Sequence, residues 1–422
     1  MPDILFGPFN LDQSATRLLR DGEEIRLRPQ ALQTLRVLLR HSGQTIRYEQ
    51  MIAEAWHGTT VSRHTVDVTV GEVKRSLHEH GRWITTRPKI GYRLEVPKSD
   101  ELVRRGWHFW SRRTRAGFER AVNCFRKAAE ESPSDRRAFE GLAESYLSLA
   151  TFGMRPPRVM YRGFLDAHKQ ALALGELTPL LRCSRAHGLH MFERRHAEAE
   201  SEFLLTLRED PTMPSTYVRL AMLYGTLERT DEALEIVKRG YHADPLWPML
   251  PMTETTIRFW RREFDEAVAL GVKAVELHPY LAAGRTIYAQ ALEFSGRLDE
   301  ALAEYRIASV IAPDLPWLRA HEGVCLAKMG RLAEGQSLLQ GLEQLRRSEY
   351  VDAYFMAVFR DAVGQRDEAF VELDRAVTEN SSRLYTIAQD PKMDGLRHDP
   401  RFARLRDELV KPRVATTPLD AR

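Results

Sequence analysis

The sequence predicts a mainly α-helical protein in two parts: a small module of strands and helices at the N-terminus, then a long array of paired helices. Three observations carry that reading. A 34-residue period runs through the chain from about residue 100. An apolar face at helical spacing, Val66, Val70, Val73 and Leu77, lies among short β-type segments in the first hundred residues. At roughly 150 residues per domain, the 422 residues make room for two to four domains.

Hydrophobic residues at 43% and charged residues at 29% build a core and keep it soluble, which excludes global disorder. Cys124, Cys183 and Cys325 are odd in number, dispersed and without a CxxC pair. That excludes a disulfide framework and points to a reducing compartment. No apolar run approaches the roughly 18 residues of a membrane span. The opening MPDILFGPFNLDQ has no basic region followed by an apolar stretch, so no signal peptide is read. The expectation is a cytoplasmic protein with no membrane partner. The net charge of +3 sits in residues 1–97, with 14 basic against 11 acidic residues; the remainder balances. A mild basic excess permits nucleic-acid binding without establishing it.

The strings DEAL at 231, DEAV at 265, DEAL at 299, AEGQ at 333 and DEAF at 367 step by 34 residues, as do Pro211, Pro245, Pro279 and Pro313. AEAE at 197 carries the register one repeat back. That period is the one of the tetratricopeptide repeat, a pair of antiparallel helices. Tyr217, Leu220, Ala221 and Tyr224 share one face of a first helix, and Ala233, Val237 and Gly240 one face of a second. Small residues stand where the helices approach, and Pro245 ends the second helix. The earliest repeats are looser, and TFGMRPPRVMYRG at 151–163 reads as a long inter-helix loop. Eight helix pairs are expected over residues 100–410, stacked into a superhelix with a concave groove, and a flexible tail over 411–422.

Residues 1–97 begin with β-type segments ILFGPFNL, TRLLRDG and EEIRL, with a hairpin turn at Arg20-Asp21-Gly22-Glu23. A helix PQALQTLRVLLRHSG follows, with Pro29 in its first turn, Gly43 as its stop and Leu32, Leu35, Val37, Leu38 and Leu39 as its core stripe. A second helix spans Tyr48 to Trp56, and a third is HTVDVTVGEVKRSLHEHG. A hairpin RWITTRPKIGYRLEV closes the module. Strands, three helices and a hairpin in this order make a winged helix-turn-helix.

The run Thr65-Val66-Asp67-Val68 to Val73-Lys74-Arg75-Ser76-Leu77, with Ile84-Thr85-Thr86-Arg87-Pro88-Lys89-Ile90-Gly91-Tyr92-Arg93-Leu94, resembles an OmpR/PhoB-type DNA-binding domain. The Pro-Lys-x-Gly-Tyr-Arg wing is similar to the ToxR/CadC branch. The resemblance covers about 95 residues and implies a phosphorelay-type output domain in signal transduction, although no phospho-acceptor receiver domain is recognisable. With the repeats behind it, the arrangement is similar to soluble one-chain transcription regulators. Its order also resembles the antibiotic regulatory proteins with a helical activation domain.

At about 100° per residue, His64, Val68, Gly71, Glu72 and Arg75 lie opposite the buried face of the third helix, with Thr65, Thr69 and Lys74 on its flanks. A helix in the major groove needs short or apolar groups near the floor and cations at the phosphates. Val68 suits a thymine methyl; Arg63, Lys74 and Arg75 suit phosphate, and the latter two also guanine. Glu72 is expected at the groove floor, accepting from a cytosine amino group or holding Arg75. Two positions depart from the family: Glu72 stands where a base-reading arginine is frequent, and Pro88 where a minor-groove arginine is frequent. The wing cations Arg87, Lys89 and Arg93 remain phosphate or minor-groove candidates. The resemblance also implies that the loop His57, Gly58, Thr59, Thr60 and Val61 faces RNA polymerase.

Other clusters read as structure. Cys183, His187 and His190 share a helix face near His196, a zinc-compatible spacing, but they occupy the packing positions that Tyr217, Ala221 and Tyr224 take one repeat later. Acidic pairs such as Asp299-Glu300 recur where helices start and favour the N-terminal dipole. No nucleophile elbow, phosphate-binding glycine loop or HExxH motif appears. Arg258-Phe259-Trp260-Arg261-Arg262 reads as a groove or surface feature suited to an acidic peptide.

The expected function is a DNA-binding transcriptional regulator without enzymatic activity, cofactor or metal. Residues 1–97 bind double-stranded promoter DNA. The repeats sense a ligand, or a protein or peptide partner in their groove, or form a homodimer. The alternative from another class is a repeat scaffold whose winged helix binds protein.

Overall fold

The structure is a computed structural model and describes residues 4–7, 9–12, 16–20 and 23–409. A four-stranded antiparallel meander comes first: β1 (Ile4–Phe6), β2 (Phe9–Leu11), β3 (Leu18–Arg20) and β4 (Glu23–Ile25). The segment ILFGPFNL is two strands rather than one, because Gly7 takes a φ of +52° and folds Phe6 back onto Phe9. Arg20 pairs with Glu23, the register of a two-residue hairpin; Asp21 and Gly22, its expected turn, lie outside the described residues.

Three helices follow: α1 (Pro29–Arg40), α2 (Tyr48–Ala55) and α3 (Arg63–Ser76). Between α1 and α2 lies β5 (Thr45–Arg47), and after α3 come β6 (Ile84–Arg87) and β7 (Gly91–Leu94), giving a sheet of order β5-β7-β6. Val66, Val70, Val73 and Leu77 are buried and join Phe9, Leu11, Leu35 and Leu38 in one core. The helix is shorter than expected. It stops at Ser76, and His78–Trp83 winds as a 3₁₀ turn into β6. Gly91 is required where it stands: a Cβ there would lie 1.9 Å from the carbonyl oxygen of Ile46, on the strand paired to it.

The remainder is helical: α4 (Lys98–Ser111), α5 (Arg115–Glu131), α6 (Arg136–Thr151), α7 (Pro157–Ala173), α8 (Pro179–Gly188), α9 (His196–Glu209), α10 (Pro214–Thr226), α11 (Thr230–Ala243), α12 (Met249–Trp260), α13 (Phe264–Leu277), α14 (Ala282–Phe294), α15 (Leu298–Ile311), α16 (Pro316–Lys328), α17 (Leu332–Leu345), α18 (Ala353–Ala362), α19 (Arg366–Glu379) and α20 (Pro400–Leu409). Taken two by two, α4 to α19 are eight pairs. From α11 to α19 the second helix of each pair starts 34 residues after the last, at Thr230, Phe264, Leu298, Leu332 and Arg366. The register is enforced by size. Ala199, Ala233, Ala267, Ala301 and Ala369 have no exposed surface, so the paired helices meet on a methyl group. Pro211, Pro245, Pro279 and Pro313 each fall two residues beyond a helix end.

The stretch 151–163 is not a long loop. Only Phe152–Pro156 connects, and α7 begins at Pro157, whose fixed φ suits a first helical position. After α8 the chain makes a π turn over Leu189–Glu193, closed by Arg194 in the left-handed region. After α19 it makes 3₁₀ turns at Ser382–Thr386 and Pro391–Met393. This segment packs back on earlier repeats: the Ser382 hydroxyl donates to the Thr151 carbonyl at 2.8 Å, and Arg262 pairs with Asp394 at 2.7 Å. The expected tail, 411–422, lies outside the described residues.

Packing divides the chain into two compact units, one reaching to His108 and including Asn123–Ala138, the other of Phe109–Val122 and Phe139 onward. Among the described residues no helix is long and apolar enough to cross a membrane.

Candidate nucleic-acid interface

Helix α3 begins at Ser62, whose side chain accepts from the Thr65 backbone N–H at 3.2 Å and caps the helix. With the valine face in the core, His64, Thr65, Val68 and Arg75 are exposed on the opposite side. Val68 keeps 46% of its surface in solvent, an apolar group on an otherwise polar face. Arg75 folds back along its own helix, Nε donating to the Gly71 carbonyl at 3.2 Å. Arg63 stands at the helix start, 3.4 Å from Glu49 and over the Tyr48 ring at 5.3 Å.

Two residues of the expected face are placed differently. Thr69 is buried, and its hydroxyl donates to the Thr65 carbonyl at 2.8 Å, so it is not on an accessible flank. The helix turns it toward the core beside Val70. Glu72 does not point freely outward. Its Oε2 accepts from Arg28 Nε at 2.7 Å, and the Arg28 backbone N–H reaches Oε1 at 3.3 Å. The side-chain hydrogen bond from Arg28 holds the Glu72 carboxyl below the usual carboxylate range. The anion is thus spent on the entry to α1, and nothing in the sequence pattern of α3 signalled Arg28.

The wing carries the remaining cations. Arg87 and Lys89 flank Pro88 at the exposed hairpin tip and have no ion-pair partner among the described residues. Lys89 takes a φ of +65°, which turns the chain tightly, and Ile90 is 51% exposed beside it. Arg93 is half-buried on β7 and pairs with Glu95, which makes it less available than the tip cations. Lys74 bridges helix to wing, donating to the Thr86 hydroxyl at 3.2 Å over the Tyr92 ring; burial pushes its pKa down.

Asp67 was not singled out by its sequence position, and it fastens the module together. Its Oδ1 accepts from the Tyr48 hydroxyl at 2.8 Å and from the Tyr92 hydroxyl at 2.5 Å, so α3 is tied to α2 and to the wing at one atom. Burial, followed by those hydrogen bonds, pushes the Tyr92 phenol well up, which keeps it a donor. The loop His57, Gly58, Thr59, Thr60 and Val61 links α2 to α3 through left-handed His57 and Gly58, with Val61 partly packed on the core and the rest exposed.

Elsewhere, Cys183, His187 and His190 are buried repeat core. Cys183 Sγ meets Thr216 Oγ1 at 3.4 Å, His187 Nε2 meets Thr151 Oγ1 at 3.1 Å, and His190 Nδ1 lies 3.2 Å from His196 Nδ1. Burial holds both His187 and His190 well below the ordinary histidine value, hence neutral. The segment Arg258–Arg262 is not a free basic patch: Arg258 and Arg261 both pair with Glu263 at 2.6 Å, Arg262 with Asp394, and Phe259 and Trp260 are buried.

Residues 22–94 match the family model of the C-terminal domain of transcriptional regulatory proteins. The chain carries an OmpR/PhoB-type winged helix. Residues 214–245 match the tetratricopeptide-repeat model, so that domain precedes tetratricopeptide repeats. Transcriptional activator CadC of Escherichia coli is 28% identical over 100 residues, 23% of this chain and 20% of that protein. Transcriptional regulatory protein CutR of Streptomyces coelicolor is 36% identical over 85 residues, 20% of this chain and 39% of that protein. The chain therefore spans two fifths or less of these curated relatives. The human IFIT1 dimer with m7Gppp-AAAA is similar in structure at 16% identity and a TM-score of 0.48, over 82% of this chain and 89% of that one.

Proposed function

We propose that the winged helix, residues 1–97, binds duplex promoter DNA and that the repeat unit from about residue 100 to 410 controls that binding in response to a ligand, a partner or a second copy. In this reading α3 enters the major groove. His64, Thr65 and Val68 meet base edges, Val68 against a thymine methyl, while Arg63 meets phosphate and Lys74 and Arg75 meet phosphate or guanine. Arg87 and Lys89 reach the phosphates or the minor groove from the wing tip, with Arg93 behind them. Residues His57–Val61 offer a surface to RNA polymerase, and the regulator acts in the cytoplasm.

The observation that carries the reading is the union of an exposed apolar residue, Val68, on the outer face of α3 with two exposed cations, Arg87 and Lys89, that have no ion-pair partner among the described residues, on the adjoining hairpin. A solvated helix face has no need of the former, and a protein-binding wing no need of the latter. In vitro selection of duplexes by the full chain tests it. A defined preferred site should emerge, and Arg75→Ala should loosen it at one or two positions by about 1–3 kcal/mol. Recovery of duplexes without any shared sequence would contradict base reading by α3.

A further inference from the structure

The repeat unit holds a pocket of about 210 Å³, partly open to solvent, between the inner helices and the returning segment around Arg383. Its wall is aromatic: Trp110, Trp247, Trp260 and Trp317 all face it, with Phe355 and Tyr385. That volume is below the roughly 300–1,000 Å³ typical of drug-sized ligand sites. It suits a small molecule rather than an extended peptide.

The polar groups of the wall are unbalanced. Arg113, in the connection between α4 and α5, stacks its guanidinium over Trp110 at 4.6 Å and Trp247 at 5.5 Å, and has no hydrogen-bonded or ion-paired acid among the described residues. It is set deep in the unit yet keeps accessible surface, because it faces the cavity. Burial, helped by the nearby Arg219 charge, lowers its pKa to about 10, so it remains a cation at neutral pH. Arg383 lies over the Phe355 ring at 5.5 Å, its Nε buried without an acceptor and likewise without an ion pair among the described residues. The indole N–H groups of Trp247 and Trp317 are also buried without an acceptor among the described residues. The acids at hand are engaged. Asp390 accepts from Lys392 at 2.9 Å and from the Tyr354 hydroxyl at 2.5 Å, and Glu144 holds Arg219 at 2.8 Å. Of the four cations in the lining, Arg219 and Lys392 are thus paired, while Arg113 and Arg383 face the pocket with no acid bound to them among the described residues, and a buried unpaired charge is costly.

We infer that this cavity binds a small planar aromatic acid, its ring between the indoles and its carboxylate on the guanidinium of Arg113, with Arg383 as the second cation. A guanidinium fork matches a carboxylate through two parallel hydrogen bonds, and an aromatic ring fills the space at little entropic cost. The inference deepens the sensor reading of the repeat unit and rests on that reading only for its consequence in regulation. The site itself is tested without DNA.

The test is calorimetric titration of the full chain, with tryptophan fluorescence in parallel, using indole-3-acetate, 1-naphthoate and phenylacetate, each beside its uncharged amide, and tryptamine as the cationic analogue. At least one acid should bind about tenfold or more tightly than its amide, with tryptamine weakest. Arg113→Gln should bring that acid down to the affinity of its amide without lowering the melting temperature of the unliganded chain, since it removes an unpaired charge; Arg383→Gln should act in the same direction but less. The acid-to-amide ratio of the unaltered chain decides the matter even if a variant does not fold. No acid preference in any pair, tryptamine as the tightest ligand, or the tripeptide Ala-Ala-Trp binding more tightly than every acid would overturn the proposal. An acid that binds without altering duplex affinity would leave the site standing and remove the sensor role instead.

Discussion

Glu72 shows how much one pairing changes the meaning of a residue. Its angular position on α3 places it toward the groove floor, yet its carboxylate is bound to Arg28. Glu72→Ala should therefore leave the preferred DNA site unchanged in a selection experiment and shift the melting temperature downward. A relaxed site would show that the carboxylate leaves Arg28 to read a base. The sign of its pH dependence follows from its depressed pKa. The stabilisation is present at neutral pH, above the ordinary carboxylate range, and is lost as pH falls through the lower folded value. Glu72→Ala should flatten the acid limb of the stability curve. Asp67 is the opposite case, an unremarkable, exposed position that gathers the hydroxyls of two largely buried tyrosines. Asp67→Ala leaves both without their acceptor and should cost about 1–3 kcal/mol in urea unfolding; no loss would mean that water replaces the carboxylate. A partner 44 residues away, such as Arg28 for Glu72, leaves no periodic trace, which is why α3 was legible as a helix while its pairing was not.

Elements were legible where a period could repeat. The valine face of α3 spans about three turns, and the 34-residue period is written in five DEAL-type strings, so helix starts at Thr230 through Arg366 fall in register. Short elements escaped. β5 has three residues, of which Ile46 alone is buried, and three residues contain no alternation to count. ILFGPFNL divided because a turn at Gly7 interrupts a pattern too short to reveal it. The expected loop at 151–163 failed for a related reason: Pro156-Pro157 reads as a break, but the second proline opens α7. The small residues of the repeat interface give the element-scale prediction. Ala301 has no exposed surface between α14 and α15, so Ala301→Leu must part the helices. It should destabilise the repeat unit by about 1–3 kcal/mol, read by the urea midpoint. An unchanged midpoint would place the closest approach of the pair elsewhere.

At the scale of the molecule, the winged helix gives contact with DNA its chemistry and the repeats supply a buried polar interior that a bare packing array does not need. Glu144 and Arg219, 75 residues apart in sequence, form an ion pair at 2.8 Å beside Cys183, with the acid almost fully buried. Glu144→Ala strands a guanidinium in that setting and should cost about 3–5 kcal/mol; a much smaller loss would mean that the arginine escapes to solvent. The central claim, that the winged helix grips the phosphate backbone with the cations of its wing, is tested most directly by the salt dependence of duplex binding by the full chain. Each neutralised phosphate contributes about 0.9 to the slope of log affinity against log salt. The wild-type chain should show a slope of several such steps, and Arg87→Ala with Lys89→Ala should reduce it by about 1.8 for all duplexes alike. An unchanged slope in the double variant, or no duplex binding by the wild-type chain even at low salt, would contradict the account.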